Sequence, residues 1–206
     1  MNVECLPVGP LGTNCYIVSK EKNALIIDPG GEPDKIIGYL NRIKATPSAI
    51  LLTHAHFDHI GAVEDLRNEF GIEVYLHTLE HSWLENPQLN GSVAFIGNEI
   101  SAKPPEHELK AGKLNLRTFS FEVVHTPGHS PGSVSFIFHE GNFIIGGDVL
   151  FKQGIGRTDL PGGDLSQLEK SIQNHFYTLP DNFTVYPGHG PRTTIQDEKI
   201  NNPFVR

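Results

Sequence analysis

The feature that most constrains this chain is an apolar segment that runs directly into a cluster of histidines. Residues 48–53 are apolar apart from their ends, which predicts a short strand buried in a sheet. The chain continues as T-H-A-H-F-D-H over residues 53–59. In an extended chain His54 and His56 point to the same side, and the helix predicted to follow favours a carboxylate at its positive end. Imidazole and carboxylate groups together predict a site for zinc, iron or manganese.

The same arrangement recurs three times in the second half of the chain. Strands are predicted over residues 114–125, 142–145 and 183–186, and each is followed by a glycine-rich turn with one potential ligand. Those potential ligands are His129, Asp148 and His189. Loops at the ends of buried strands commonly carry the chemistry of an enzyme, so we interpret the three turns as parts of a functional site.

The remaining elements alternate between strands and helices. Further strands are predicted over residues 2–8, 13–19, 23–27, 73–77 and 132–139. Helices are predicted from Pro33 to Ile43, from Ile60 to Phe70, after Asp164 as a cap, and over residues 194–201. Residues 78–112 are too irregular to assign. No linker or low-complexity segment divides the chain, so we expect one domain over residues 1–206.

The composition excludes several classes of function. A formal charge of −8 argues against a nucleic-acid partner, because binding to phosphate backbones depends on clustered Lys and Arg. No apolar run approaches the roughly 18 residues that a membrane span requires. The N-terminus lacks the pattern of a signal peptide, and two cysteines are too few for a disulfide framework. We therefore expect a cytoplasmic protein with no membrane partner; the sequence does not indicate its oligomeric state.

The motif T-H-x-H-x-D-H, followed in order by single His, Asp and His residues, resembles the metallo-β-lactamase superfamily. The resemblance extends over residues 14–190 and implies an α+β fold, an αββα sandwich with the metal site at one edge of its two sheets. It also implies two divalent ions, for which zinc is favoured and iron or manganese would serve. One ion would be bound by His54, His56 and His129, and the other by Asp58, His59 and His189, with Asp148 bridging them. Asp28, in an Asp-Pro-Gly turn, matches the first motif of the family and would orient the histidines through hydrogen bonds.

Within the superfamily, residues 146–151 and 154–159 resemble the short bacterial glyoxalase II enzymes, which are hydroxyacylglutathione hydrolases. This resemblance implies a binuclear thioesterase in which a metal-bridging hydroxide, oriented by Asp58, attacks an S-acyl thiol. Arg157 replaces the lysine with which that family holds glutathione, so we expect it to bind a substrate carboxylate; pairing with Asp159 or Asp164 is the alternative. Only 17 residues follow His189, so we expect no separate C-terminal helical substrate domain. The acyl group and the thiol carrier stay open.

Two other activities of the same fold are alternatives to thioester hydrolysis. A persulfide dioxygenase would bind a single iron ion through His54, His129 and Asp148. The Pro-Gly-His-Gly sequence at 187–190 is more similar to the hydrolases than to the dioxygenases. Antibiotic hydrolysis is disfavoured, because β-lactamases of this fold usually have Cys in place of Asp148 and lack a histidine at position 59.

Overall fold

The computed structural model describes residues 1–205, which form two compact units. The first unit comprises Met1–Leu109 and Asn115–Phe119, and the second comprises Lys110–Leu114 and the chain from Ser120 onward. Two six-stranded mixed sheets and one two-stranded hairpin make up the β structure. Within residues 1–205, no helix combines the length and the apolar character that crossing a membrane would require. A single domain over residues 1–206 stays a prediction.

The first sheet has the strand order β1-β2-β3-β4-β5-β6. Its strands are Asn2–Val8 (β1), Thr13–Lys20 (β2), Asn23–Ile27 (β3), Thr46–Leu51 (β4), Val74–His77 (β5) and His107–Leu109 (β6). β1, β2 and β3 pair antiparallel, whereas β3, β4, β5 and β6 pair parallel. The parallel strands run in one direction, so the loops that follow β3, β4 and β5 begin at the same edge of the sheet. The predicted histidine cluster lies in the loop after β4.

The helices of the first unit are short. They are Pro33–Ile43 (α1), Phe57–Ile60 (α2), Val63–Phe70 (α3), His81–Glu85 (α4) and Ser92–Ile96 (α5), with a 3₁₀ turn at Thr78–Glu80. α1 begins at its predicted proline and buries Ile36 and Leu40 in the hydrophobic core of this unit. Both cysteines of the unit are free, as expected.

The prediction of one helix from Ile60 to Phe70 is wrong, because α2 and α3 are separate. The break falls at Gly61 and Ala62. A Cβ atom at Gly61 would overlap the carbonyl oxygen of Gly30, and the Ala62 N–H donates to the carbonyl of Pro29 at 2.9 Å. The turn after β3 therefore accepts a hydrogen bond from the Ala62 N–H and lies against Gly61, and both contacts interrupt a continuous helix.

The second sheet has the strand order β14-β13-β10-β9-β8-β7. Its strands are Gly112–Leu116 (β7), Phe119–His125 (β8), Val134–Phe138 (β9), Phe143–Gly147 (β10), Thr184–Pro187 (β13) and Thr193–Thr194 (β14). A hairpin joins Leu150–Phe151 (β11) to Gly154–Ile155 (β12). The helices are Leu165–Ser171 (α6), which continues into a π turn at Ile172–Phe176, and Ile195–Asn201 (α7).

One sequence prediction for the second half needs correction. The predicted strand 114–125 is two strands, because Arg117 adopts a left-handed conformation (φ 49°) between β7 and β8. Asp164 caps α6 as predicted, accepting a hydrogen bond from the Gln167 N–H at 2.9 Å. The Asp164 N–H donates to the carbonyl of Gly128 at 2.8 Å, which ties the start of α6 to the turn that carries His129.

The packing of α1 generates a prediction for stability. Leu40 is 1% exposed, so Leu40→Ala should lower the free energy of unfolding by about 2–5 kcal/mol through lost burial and a residual cavity. Gly38 is exposed on the same helix with open space around its Cα. Gly38→Ala should raise stability by about 0.5–1 kcal/mol, because alanine favours the helix. Urea unfolding of both variants checks the pair; equal stabilities would contradict the assigned faces of α1.

Candidate metal centre

The first cluster of predicted ligands lies on residues 53–59, which we call the ligand loop; it follows β4 and includes the first three residues of α2. All four predicted ligands on it are buried, and His54 and His59 are fully enclosed. The ring centroids of His54 and His56 are 4.8 Å apart, and those of His54 and His59 are 4.1 Å apart. His59 Nε2 lies 3.5 Å from Asp58 Oδ2. The ligand loop thus gathers three imidazoles and one carboxylate at one point.

Asp28 anchors the ligand loop from the turn that follows β3. Its carboxylate accepts hydrogen bonds from the Thr53 N–H at 2.8 Å and the Thr53 hydroxyl at 2.7 Å, and it lies 3.1 Å from His59 Nδ1. Asp28 itself is fully buried and left-handed (φ 52°), a conformation that aspartate adopts more readily than most residues. Its contact with Nδ1 leaves Nε2 as the ring nitrogen of His59 that faces Asp58.

These contacts also explain a correction to β4. The sequence predicts a strand over residues 48–53, but β4 ends at Leu51. The Thr53 N–H donates to a side-chain carboxylate rather than to a neighbouring strand, so the ladder stops before the ligand loop. The loop is held by Asp28 in place of a sheet partner.

Asp58 is oriented by a residue that the sequence did not indicate. The Thr13 hydroxyl, at the start of β2, donates to Asp58 Oδ2 at 2.6 Å, and both side chains are buried. A Cβ atom at Gly30 would overlap the carbonyl oxygen of Asp58, so only glycine allows this approach. Thr13 lies 45 positions before Asp58 on strand β2, and no spacing rule connects the two.

The second cluster gathers the three later ligands, each on a turn after a strand of the second sheet. Asp148 follows β10 and stands between the other two. Its Oδ2 atom lies 3.6 Å from His129 Nε2 and 3.6 Å from His189 Nε2. His129 is buried, whereas the side chain of His189 is 30% exposed. One carboxylate oxygen is therefore equidistant from two imidazole nitrogens.

The backbone around the second cluster fixes the tautomer of His129. Its Nδ1 lies 2.8 Å from the carbonyl oxygen of Arg157, which can only accept a hydrogen bond. Nδ1 therefore carries a proton, and Nε2 is the ring nitrogen that faces Asp148. A Cβ atom at Gly156 would overlap the carbonyl oxygen of Asp148 and crowd His129. The glycine thus permits the close packing on which this hydrogen bond depends.

Arg157 directs its guanidinium to a neighbour. Its Nε and NH2 atoms donate to the two carboxylate oxygens of Asp159 at 2.8 and 2.7 Å. These hydrogen bonds lower the pKa of Asp159 to about 2, so the pair stays charged at all ordinary pH values. Asp159, an alternative partner expected from the sequence, is thus the residue that Arg157 pairs with. Substrate binding by Arg157 stays a prediction and would require the carboxylate of Asp159 to be displaced or shared.

Donor atoms in both clusters are spaced as ligands of a shared cation would be. Two atoms that each lie about 2.1 Å from one tetrahedral zinc are about 3.4 Å apart. The separations are 3.5 Å between Asp58 and His59 and 3.6 Å from Asp148 to each of its histidines. Direct hydrogen bonds would be shorter, at about 2.7–3.2 Å. This donor set fits a divalent ion with a preference for nitrogen and oxygen ligands.

The order and chemistry of these residues match a known family. The family model described as the metallo-beta-lactamase superfamily matches residues 8–189, which include all seven predicted ligands. The chain belongs to the metallo-β-lactamase superfamily. This membership implies divalent metal ions and a metal-dependent hydrolase, and it confirms the family that the T-H-x-H-x-D-H motif indicated.

Three relatives show how far the likeness extends. The crystal structure named BLEG-1 B3 metallo-beta-lactamase is 51% identical, with a TM-score of 0.97 and 99% of both chains covered. The structure of TTHA1623 in a di-iron-bound form is 41% identical, with a TM-score of 0.88, 98% of this chain and 100% of that chain. The protein named hydroxyacylglutathione hydrolase GloC, from Haemophilus influenzae, is 39% identical over 100% of this chain and 98% of its own length. These matches confirm the predicted α+β fold of the metallo-β-lactamase type and a glyoxalase II-like member of the superfamily.

Gly154, in the β11–β12 hairpin, and Gly156, directly after it, generate a prediction for the site. Gly156→Ala should lower the free energy of unfolding by about 1–3 kcal/mol and reduce bound metal, because the new methyl group pushes on Asp148. Gly154→Ala is the matched control, since a Cβ atom there meets its neighbours only at ordinary distances of 3.6 Å or more. Thermal unfolding and elemental analysis of the two variants check this. Wild-type metal content in both would contradict the role given to Gly156.

Proposed function

We propose that the two clusters together bind two divalent ions in one centre. His54, His56 and His129 would hold the first ion, and Asp58, His59 and His189 the second, with Asp148 as the shared ligand. The observation that carries the proposal is the spacing of Asp148 Oδ2, which lies 3.6 Å from an imidazole nitrogen of each proposed ligand set. Zinc is favoured by the donor set. Iron stays open, since the 41% identical TTHA1623 is described in a di-iron form.

The reaction that we propose is hydrolysis of a thioester such as S-lactoylglutathione. When bound, two such ions lower the pKa of a shared water to roughly 7 and polarise a substrate carbonyl. The carboxylate of Asp58, held by the Thr13 hydroxyl, would accept a hydrogen bond from the attacking water. The departing thiolate has a pKa of roughly 8.5 and needs little help from a general acid. The name of the 39% identical GloC supports this substrate class.

Three further features belong to the same proposal. The thioester is a small molecule in the cytoplasm, and the net charge of −8 is unfavourable for a nucleic-acid partner. Arg157 would attract a carboxylate of the thiol carrier, because its side chain is half exposed although paired with Asp159. The whole chain would act as one metallo-hydrolase domain.

A second candidate, β-lactam hydrolysis, is favoured by the name of the 51% identical relative. The residues of this chain argue against it as the main activity. An aspartate occupies position 148 and a histidine occupies position 59, where β-lactamases of this fold usually differ. A β-lactam also expels an amine, which needs a proton from a general acid, whereas a thiolate does not. We therefore rank thioester hydrolysis first.

One set of assays distinguishes the candidates. The purified protein is analysed for metal, then given S-lactoylglutathione, a penicillin, a carbapenem, and glutathione persulfide in an oxygen electrode. We expect about two metal ions per chain and thioester turnover that far exceeds lactam turnover. One iron ion per chain with oxygen consumption and no thioester turnover would establish a persulfide dioxygenase instead. Lactam turnover above thioester turnover would favour the second candidate.

The bridging role of Asp148 is tested by substitution. Asp148→Ala should lose most bound metal and reduce kcat/KM by a factor of 100 or more, because both proposed ions lose a shared ligand. Asp159→Ala removes an exposed carboxylate nearby and should keep wild-type metal content. Elemental analysis and thioester assays of both variants check this. Retained metal and activity in Asp148→Ala would overturn the bridging assignment.

A further inference from the structure

The irregular segment after β5 packs against the ligand loop. Residues 80–90, which we call the buttress segment, contact three consecutive positions of that loop. Glu80 accepts the Ala55 N–H at 2.6 Å, and the carbonyl of Asn90 accepts the Phe57 N–H at 3.0 Å. Between them, the rings of Trp83 and His56 have centroids 5.6 Å apart. The buttress segment lies within residues 78–112, which the sequence pattern does not assign, and it covers the backbone on both sides of His56.

The side chain of Asn90 keeps the buttress segment in shape. Its Nδ2 atom donates to the carbonyls of Trp83 at 3.1 Å and Ile100 at 2.8 Å, and its Oδ1 atom accepts the Ser92 N–H at 3.0 Å. Asn90 is fully buried. Because these bonds span both sides of Asn90, the segment is a fixed support rather than a loose loop.

Glu80 is the unusual member of this segment. It ends the 3₁₀ turn after β5, and its side chain is fully buried. Burying a carboxylate is unfavourable unless strong hydrogen bonds compensate for the lost water. A hydrogen bond from a backbone N–H to an ionised carboxylate is short and strong, and the 2.6 Å bond to Ala55 fits that description. An apolar residue could fill the space, so the hydrogen-bond acceptor at the end of this side chain needs an explanation.

The contacts of Glu80 repeat those of Asp28 two residues further along the loop. Asp28 accepts the Thr53 N–H, Glu80 accepts the Ala55 N–H, and His54 lies between the two anchored positions. Both carboxylates are fully buried. Because the backbone is held on either side, the peptide groups that flank His54 cannot turn without breaking one of these hydrogen bonds.

We propose that Glu80 is a positioning residue that sets the ligand loop for metal binding by His54 and His56. It acts through the Ala55 N–H and does not touch the metal or the substrate. The proposal rests on the proposed metal binding by the ligand loop. It assigns a function to residues outside the T-H-x-H-x-D-H motif and predicts that metal affinity depends on the reach of the Glu80 side chain.

Two variants separate reach from charge. Glu80→Asp keeps the carboxylate but shortens the side chain by one methylene, so it should lose the bond to Ala55. Glu80→Gln keeps the length and an acceptor oxygen but loses the charge. Leu40→Ala, in the core of the same unit, controls for a general loss of stability. Zinc affinity of each metal-free protein is measured by competition with a chromogenic chelator, and the cobalt absorption spectrum reports ligand geometry.

We expect zinc affinity to fall at least tenfold in Glu80→Asp, with an altered cobalt spectrum, and to stay within threefold of wild type in Glu80→Gln and Leu40→Ala. Wild-type affinity in Glu80→Asp would overturn the proposal. If that variant does not fold, a tenfold loss in folded Glu80→Gln would also overturn it, because charge rather than reach would then matter. Failure of the wild-type protein to bind zinc or cobalt would instead refute the proposed metal centre.

Discussion

The hydrogen bonds between the buried carboxylate of Asp28 and Thr53 determine much of the first cluster. β4 ends before the histidines, because the N–H and the hydroxyl of Thr53 donate to the Asp28 carboxylate and not to a neighbouring strand. The same carboxylate lies beside Nδ1 of His59 and leaves Nε2 facing Asp58. One side chain thereby shapes the backbone of the ligand loop and orients a ring within it. Buried imidazoles need such outer contacts, because a ligand that can rotate binds metal less well.

In the second cluster, a backbone group orients the histidine. His129 is oriented by the carbonyl of Arg157, and the approach of that backbone depends on Gly156. Aspartate therefore orients a histidine in the first cluster, and a peptide carbonyl does so in the second. In both, a glycine close to the residue that fixes the histidine permits a tight backbone approach, of Gly30 to Asp58 and of Gly156 to Asp148. The ligands alone would not define the geometry of either cluster.

The sequence predicts the seven candidate ligands because they follow apolar strands at recognisable turns, and the family match spans all seven positions. Their binding to metal stays a prediction. Their supports were less visible. Thr13 and Glu80 bind the ligand loop from positions distant in sequence, and only the paired strands bring them close. The break between α2 and α3 is not predictable for the same reason. The apolar periodicity continues through Gly61, and the helix is interrupted by the tertiary contact between Gly61 and Gly30. Local patterns predicted strands and helices; the contacts that position the site depend on packing between them.

The proposal that two ions are bound in one centre is tested by anomalous diffraction at the zinc edge, from crystals grown with zinc. We expect two peaks, each about 2.0–2.2 Å from its nitrogen and oxygen ligands, with Asp148 bound to both. The first would contact His54, His56 and His129, and the second Asp58, His59 and His189. Peaks bound by only one cluster, or no peak at Asp148, would contradict the proposal.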